Sequence, residues 1–181
     1  MGTVPRTAFV LALALVAAGT LAAQDKNALP VHEQTTFTED GQFQHPVSVS
    51  AQVLKVLLET EAAKEGLAFA SDSERSNAAQ LFRAGEVQLD GSKEIDLVVI
   101  GVGWMSGADN GWFWVVRSAR KNPQVVLFAG GNSLNIMGST TQGYRDIRSL
   151  FSTASETRNS IYHFDGKQYK LWKEQWKKNP N

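Results

Sequence analysis

The sequence predicts an α+β fold in which two N-terminal helices pack on an antiparallel meander sheet of six or seven strands. Apolar residues recur at helical spacing between residues 47 and 85, and short β-branched and aromatic runs follow from residue 86. The connections between these runs are too short for crossover helices, which favours antiparallel pairing. We therefore predict one domain over residues 47–176 of the 181-residue chain.

The N-terminal segment has the pattern of a cleaved secretory signal. Arg6 precedes an apolar run over residues 9–18, small residues follow, and polar sequence begins at Gln24. We predict a signal peptide over residues 1–23 and a periplasmic or secreted protein, with an uncleaved membrane anchor as the alternative. The apolar run is shorter than the roughly 20 residues that span a bilayer, so we expect no membrane span after signal cleavage.

Polar sequence follows the signal, and two helical patterns come after it. Residues 24–46 lack apolar periodicity and are predicted to form a flexible leader with at most one short extended piece. The first helix is capped by Ser48 or Ser50 and ended by Gly66. The second begins with the capping box Ser71–Glu74, in which the serine and the glutamate satisfy each other's free backbone donors.

Short strand patterns occupy most of the remaining chain. The apolar run 95–103 is typical of a central strand that is buried on both faces. The later strands are predicted at residues 111–119, 122–131, 132–138, 143–152 and in the two arms of 159–176, which flank the hairpin signal Asp165-Gly166. Residues 177–181 are predicted to be a polar tail. We expect the helices to cover one face of the sheet and to leave the other partly open.

The stretch Q-L-D-G-S-K-E-I-D-L-V-V, residues 88–99, has the outline of a calcium loop without most of its acids. A calcium loop needs charged oxygen ligands at alternate positions and a glycine for its sharp turn. Here Asp90 and Asp96 remain, and Lys93 takes the place of the glycine. Because two carboxylates beside a lysine bind calcium weakly, we predict a turn that leads into the strand at 95–102. We predict neither a metal nor another cofactor.

Three stretches carry a resemblance to a known group of proteins. They are L-F-R-A-G-E-V-Q-L-D-G-S-K-E-I-D-L-V-V-I-G-V-G, G-Y-R-D-I and Y-H-F-D-G-K-Q-Y-K. Together they resemble exported bacterial proteins of unassigned function, in which a D-x-N-x-D-G loop like that of FG-GAP repeats leads into a strand. In that group an N-G-Y-x-D-I strand and a terminal Y-x-F-D-G-x-x-Y hairpin follow. The resemblance covers roughly residues 70–172 and implies the sheet; it implies no catalytic residues, and of the loop acids it retains Asp90 and Asp96.

Composition excludes several classes of function. The chain has 18 basic and 18 acidic residues, so it has no long-range attraction to nucleic acid. It has no cysteine, which excludes disulfides and a thiol nucleophile. The three histidines, His32, His45 and His163, lack the spacing of metal ligands, and no G-x-S-x-G elbow or complete dinucleotide fingerprint is present. These features favour a function without catalysis.

Aromatic and charged residues on two predicted strands form the candidate binding site. Trp112 and Trp114 share a strand face, where they either form an open stacking platform or pack under the helices. Tyr144 and Asp146 share a face of another strand, opposite Arg145. The favoured hypothesis is an exported, non-catalytic binding or interaction module with a protein or glycan partner in the cell envelope.

Two other functions stay open. A cell-envelope hydrolase would use carboxylates such as Asp146 and Glu156 with Arg145, and would need a set separation between the two acids. A purely structural domain would descend from a calcium-loop blade. Trp172 and Trp176 are less constrained by the pattern, and one of them is a candidate surface anchor.

Overall fold

The computed structural model describes residues 34–92, 94–106 and 110–179, so the predicted signal segment lies outside the described residues. Within them, ten strands form two five-stranded sheets with antiparallel pairing throughout. The inner sheet contains, in spatial order, β2 (Pro46–Val47), β3 (Phe82–Val87), β4 (Asp96–Gly101), β5 (Gly111–Arg117) and β6 (Gln124–Gly131). The outer sheet contains β1 (Thr36–Thr38), β7 (Ser133–Thr141), β8 (Tyr144–Ser152), β9 (Glu156–Phe164) and β10 (Tyr169–Lys178).

Two hydrophobic cores lie on opposite faces of the inner sheet. Because successive side chains of a strand point to opposite faces, β4 and β5 supply both cores. Val98 and Phe113 face the outer sheet and pack with its Leu134 and Ile147. Val99 and Trp114 face the helices. The inner sheet is therefore a central layer covered on both sides, as predicted for the strand at 95–103.

The helical layer consists of α1 (Ala51–Leu58), α2 (Glu61–Phe69) and α3 (Asp72–Ser76). The single first helix that was predicted is broken in two, because Thr60 caps a new helix: its Oγ1 accepts a hydrogen bond from the Ala63 N–H at 3.3 Å. Gly66 lies inside α2 and does not end a helix. A Cβ there would come within 2.6 Å of the Trp104 carbonyl, so this glycine permits close packing of the turn Gly103–Met105.

The capping box of α3 is confirmed, but the helix that follows it is shorter than predicted. Ser71 N–H donates to Glu74 Oε2 at 2.7 Å, and Glu74 N–H donates to Ser71 Oγ at 3.3 Å. After a 3₁₀ turn at Ala78–Leu81 the chain enters β3 at Phe82, whose ring is buried against Trp114. The strand region therefore begins four residues before the predicted position.

The predicted flexible leader is wrong for its described part. Thr36–Thr38 pairs with β7, and the side chain of Phe37 is 1% exposed in the core between the sheets. Pro46–Val47 pairs with β3. The domain therefore includes residues before the predicted boundary at 47, because one buried phenylalanine and two short strand pairings hold them.

The prediction of one meander sheet with an open face is also wrong. At Asn132 the chain passes from the inner to the outer sheet, and its N–H donates to the Leu150 carbonyl at 2.7 Å. The close approach needs Gly131, where a Cβ would lie 2.6 Å from the Leu150 oxygen. The second sheet covers the sheet face that was expected to be open. The number of strands and the placement of the helices therefore differ from the prediction, while the antiparallel β character is confirmed.

The terminal hairpin forms where it was predicted, but its loop has four residues, 165–168, in place of the two-residue turn Asp165-Gly166. Phe164 pairs with Tyr169, and the connecting turn includes Gly166 at φ 96°. Asp165 Oδ1 accepts hydrogen bonds from the Lys167 and Gln168 N–H groups at 2.9 and 2.8 Å. Strand β10 extends through Lys178, into the predicted polar tail. None of the helices in the described residues is long and apolar enough to cross a membrane.

Candidate functional site

Trp112 and Trp114 lie under the helices. Trp114 is fully buried, and its indole N–H donates to Thr60 Oγ1 at 3.1 Å. Trp112 is half-buried beside it at a ring distance of 6.2 Å, with Phe128 of the neighbouring strand 5.8 Å away. The sequence left two arrangements open, an open stacking platform and packing under the helices. In the structure both tryptophans pack under the helices.

Tyr144, Arg145 and Asp146 point into three different environments. The Tyr144 hydroxyl accepts a hydrogen bond from Arg117 Nη2 at 2.5 Å, and its ring lies 4.2 Å from that of Phe164. Arg145 is buried and donates from Nε to the Met137 carbonyl at 2.8 Å, where the register between β7 and β8 shifts. This arginine therefore satisfies backbone acceptors of an irregular strand.

Asp146 is buried on the face of the outer sheet that points away from the inner sheet. Its Oδ1 accepts a hydrogen bond from Thr141 Oγ1 at 2.7 Å, and its Oδ2 lies 3.8 Å from His163 Nε2. The five predicted binding residues therefore do not converge on one surface, since the two tryptophans and this aspartate lie on opposite sides of the sandwich.

Asp146 and Glu156 are too far apart to act as a catalytic pair. Asp146 lies beside His163, and Glu156 is seven positions away along the same strand β9. At about 3.3 Å per residue, that separation is roughly 20 Å. Glycosidase carboxylates lie about 5–10 Å apart. The hydrolase hypothesis therefore loses the pair of acids on which it depended.

The loop at 88–92 is a turn whose acids are held by protein groups. Gly91 has φ 72°, and Asp90 Oδ1 accepts a hydrogen bond from the Ser92 N–H at 2.9 Å. Burial alone would raise the pKa of Asp90, but hydrogen bonds from Ser92 and Tyr144 and the charge of Arg117 outweigh it and hold the pKa below its usual value. Within the described residues, no group of three or more His, Cys, Asp or Glu is placed to hold a metal ion.

Asp96 is the buried acid at the start of β4. Its Oδ1 accepts a hydrogen bond from the Ser118 N–H at 3.0 Å, while its Oδ2 has no partner among the described residues. Burial raises the pKa of Asp96 to about 6, the charge of Asp90 adds to the rise, and the Ser118 N–H and Arg117 oppose it. Burial likewise raises the pKa of Tyr144 to about 12, with Asp90 as the next cause.

A different set of aromatic side chains is exposed, on β10. Trp172 is 61% exposed, Trp176 54% and Leu171 53%. The indole of Trp172 stacks on His163 at 4.4 Å with an interplanar angle of 13°. The guanidinium of Arg158 lies 5.3 Å from the centre of the Trp176 ring. These contacts hold both tryptophans in place while leaving more than half of each in solvent.

β10 is also the edge strand of the outer sheet. It pairs with β9, and no described strand occupies its other side. The side chains of Leu171, Trp172 and Trp176, together with this free backbone edge, are called here the β10 surface. The sequence made one of the two tryptophans a candidate surface anchor. The edge position of their strand depends on the order of strands in the sheet, which local pattern does not determine.

Comparisons with known proteins add no relationship. No family model matches the chain, and no curated protein or solved structure is significantly similar to it. The assignment of function therefore depends on the arrangement of the residues themselves.

Proposed function

We propose that the chain is an exported, non-catalytic binding module that holds a protein partner of the cell envelope on the β10 surface. The observation that carries the proposal is the exposure of Leu171, Trp172 and Trp176 on one edge strand. Trp172 lies on one face of β10 and Trp176 on the other, so large exposed apolar side chains flank the free edge on both sides. Exposed apolar side chains of this size mark sites of interaction. Export is proposed from the signal-like sequence over residues 1–23.

The chemistry of the β10 surface suits protein recognition. Tryptophan and arginine are enriched among the residues that contribute most to protein–protein binding. Here Arg158 lies between two aromatic rings, 5.1 Å from Phe151 and 5.3 Å from Trp176. Because their neighbours already order these side chains, they lose less conformational entropy when a partner binds.

A second candidate, a purely structural domain, is favoured by the burial of the predicted site. Trp114, Arg145 and Asp146 are all buried and hydrogen-bonded. Packing and hydrogen bonding within the fold are therefore enough to explain the presence of these three residues. The structural hypothesis does not explain why two tryptophans are kept in solvent on β10.

The test is capture of partners from an envelope extract of the native host by the purified mature chain. The captured protein is identified, purified and titrated against the wild-type chain and two variants. Trp172→Ala with Trp176→Ala removes the aromatic groups of the β10 surface. Trp104→Ala is the matched control, since this tryptophan is 50% exposed but stacks on Phe69, the last residue of α2.

We expect the double variant to weaken the partner's binding by a factor on the order of 10–100, because central aromatic residues of an interface commonly contribute that much. The Trp104→Ala variant should bind as the wild type does. Equal weakening in the two variants, or no specific capture by the wild-type chain, would contradict the proposal. Trp114→Ala is unsuitable here because it removes a core side chain.

A further inference from the structure

We propose that the partner binds as an extended acidic segment that adds an antiparallel or parallel strand to the free edge of β10. This inference rests on the proposed function and specifies its binding mode. It is carried by three observations. The strand has a regular free edge, lysines are distributed along it, and its single acid, Glu174, is held by hydrogen bonds on the other face.

The second half of β10 is a regular template for another strand. The register with β9 shifts between Leu171 and Lys173, and from Lys173 to Lys178 it continues without a break. The far end is fixed by Asn179, whose N–H donates to the Ser155 carbonyl at 2.8 Å and whose Oδ1 accepts from Thr157 Oγ1 at 3.1 Å. The unpaired backbone groups of such an edge are the ones that an added strand uses.

The lysines of β10 make this edge positively charged. Lys170 and Lys173 pair across the sheet with His163 and Ile161, and alternation puts Lys177 on the same outward face. Trp172, at the bulge, also lies on that face because it stacks on His163. All three lysines are exposed, and none forms a salt bridge within the part of the chain that the structure describes. Lys170 lies near Asp165 and lowers the pKa of that acid, so a strand laid along the regular half of the edge would bring its side chains beside Lys173 and Lys177, two lysines without an acidic partner among the described residues.

The one acid of β10 does not balance these charges. Glu174 points to the opposite face, where it accepts hydrogen bonds from Ser160 Oγ at 2.8 Å and from the Trp176 indole N–H at 3.0 Å. Those two hydrogen bonds hold its pKa below the usual value. The charged side chains on the outward face of this strand are therefore all lysines, although the whole chain has no net charge.

Charge decides which occupant fits. A second copy of the chain would bring the same lysines to the same face of the joined sheets, and like charges on neighbouring strands are destabilising. Carboxylates at alternate positions of a partner strand would pair with Lys173 and Lys177 on one face. Edge lysines and a bulge also discourage indiscriminate strand pairing, so the features that protect this edge would make it selective for acidic segments.

The test uses three synthetic peptides of about ten residues, the length of β10. The first alternates glutamate and valine, and the second alternates lysine and valine. The third alternates glutamate and proline, which keeps the charge but cannot form a strand ladder. Binding to the folded mature chain is followed by fluorescence anisotropy of labelled peptides and by backbone amide shifts in the NMR spectrum.

We expect the glutamate–valine peptide to bind roughly tenfold more tightly than either of the others, because it alone offers both charge pairs and backbone pairing. Its binding should weaken with salt, and the shifted amides should lie at Lys173–Lys178. Lys173→Glu with Lys177→Glu should reverse the preference in favour of the lysine–valine peptide. Lys55→Glu with Lys64→Glu, on the helices, is the matched control and should leave the preference unchanged.

Four results would overturn the inference: no binding of the glutamate–valine peptide, equal binding of the glutamate–proline peptide, an unchanged preference after charge reversal at β10, or equally tight binding of a single-stranded oligonucleotide of the same charge. Each of these results can be distinguished from a failure of the proposed function. Tryptophan-dependent capture of an envelope protein with no peptide binding rejects the acidic strand alone, and peptide binding with no captured partner rejects the proposed role alone.

Discussion

The imidazole of His163 lies flat against the indole of Trp172, with ring centres 4.4 Å apart and planes 13° from parallel. The contact joins neighbouring strands at the bulge of β10 and fixes the exposed tryptophan. We expect a double-mutant cycle of His163→Ala and Trp172→Ala to give a coupling free energy of about 0.5–1 kcal/mol, as aromatic pairs generally do. Urea unfolding of the four proteins measures it. A coupling indistinguishable from zero would mean that Trp172 is held by something other than this stack.

Asp96 should make the protein less stable as the pH rises. Its pKa is raised to about 6 by burial, whereas an unfolded aspartate has a pKa of about 3.9. Between these values the native state binds more protons than the unfolded state, so this group's contribution to the free energy of unfolding falls as the pH rises. The total loss is about 3 kcal/mol, complete by about pH 7.

Asp96→Asn should remove that pH dependence and unfold at a higher temperature than the wild type at pH 8. Thermal unfolding at several pH values between 4 and 8 gives the comparison. Asp165→Asn is a suitable control, because Asp165 is an exposed turn residue whose pKa is lowered. If the wild type and Asp96→Asn have parallel pH profiles, Asp96 is not the titrating group.

Adjacent glycines at the end of β6 should respond oppositely to alanine. A Cβ on Gly131 would lie 2.6 Å from the Leu150 carbonyl oxygen, so the two sheets must separate where the chain crosses between them. We expect Gly131→Ala to lower the free energy of unfolding by roughly 1–3 kcal/mol. A Cβ on Gly130 meets nothing within 4 Å, and Gly130→Ala should be neutral or slightly stabilising. Denaturant unfolding of both variants tests the pair, and similar losses at the two positions would contradict the prediction.

Calcium should not stabilise the fold. Arg117 supplies a positive charge beside both Asp90 and Asp96, and Asp90 is already bound by Ser92 and Tyr144. A ligand that binds the native state alone stabilises it by about 2.7 kcal/mol at a hundredfold excess over its dissociation constant. We therefore expect the same melting temperature in chelator and in millimolar calcium. A rise of several degrees that is lost in Asp90→Ala would restore the metal site.

Local signals predicted local structure well. The reciprocal hydrogen bonds of Ser71 and Glu74 and the turn after Phe164 involve residues a few positions apart, so their residue types nearly determine their geometry. The break between α1 and α2 was missed although Thr60 is a good cap, since apolar spacing continued across it. Here capping outweighed periodicity.

What the sequence did not predict depends on contacts between distant residues. The two-sheet arrangement depends on the corner at Asn132, where the chain changes sheets without a recognisable linker. The exposure of Trp172 and the burial of Trp114 likewise follow from strand order, since both lie in aromatic runs of similar appearance. Residue type identified candidate binding groups, but it could not say which of them would reach solvent.

The pairing of β1 with β7 has a kinetic consequence. Thr36 and Asn135, which are joined across these strands by a side-chain hydrogen bond, are 99 positions apart in the chain. Contacts of such long sequence separation form slowly, because the intervening chain must be ordered first. We therefore expect Phe37 to enter the core late in folding, and until it does the edge of β7 is uncovered. During this interval the uncovered β7 edge can pair with other chains, so it is the period of greatest risk of aggregation.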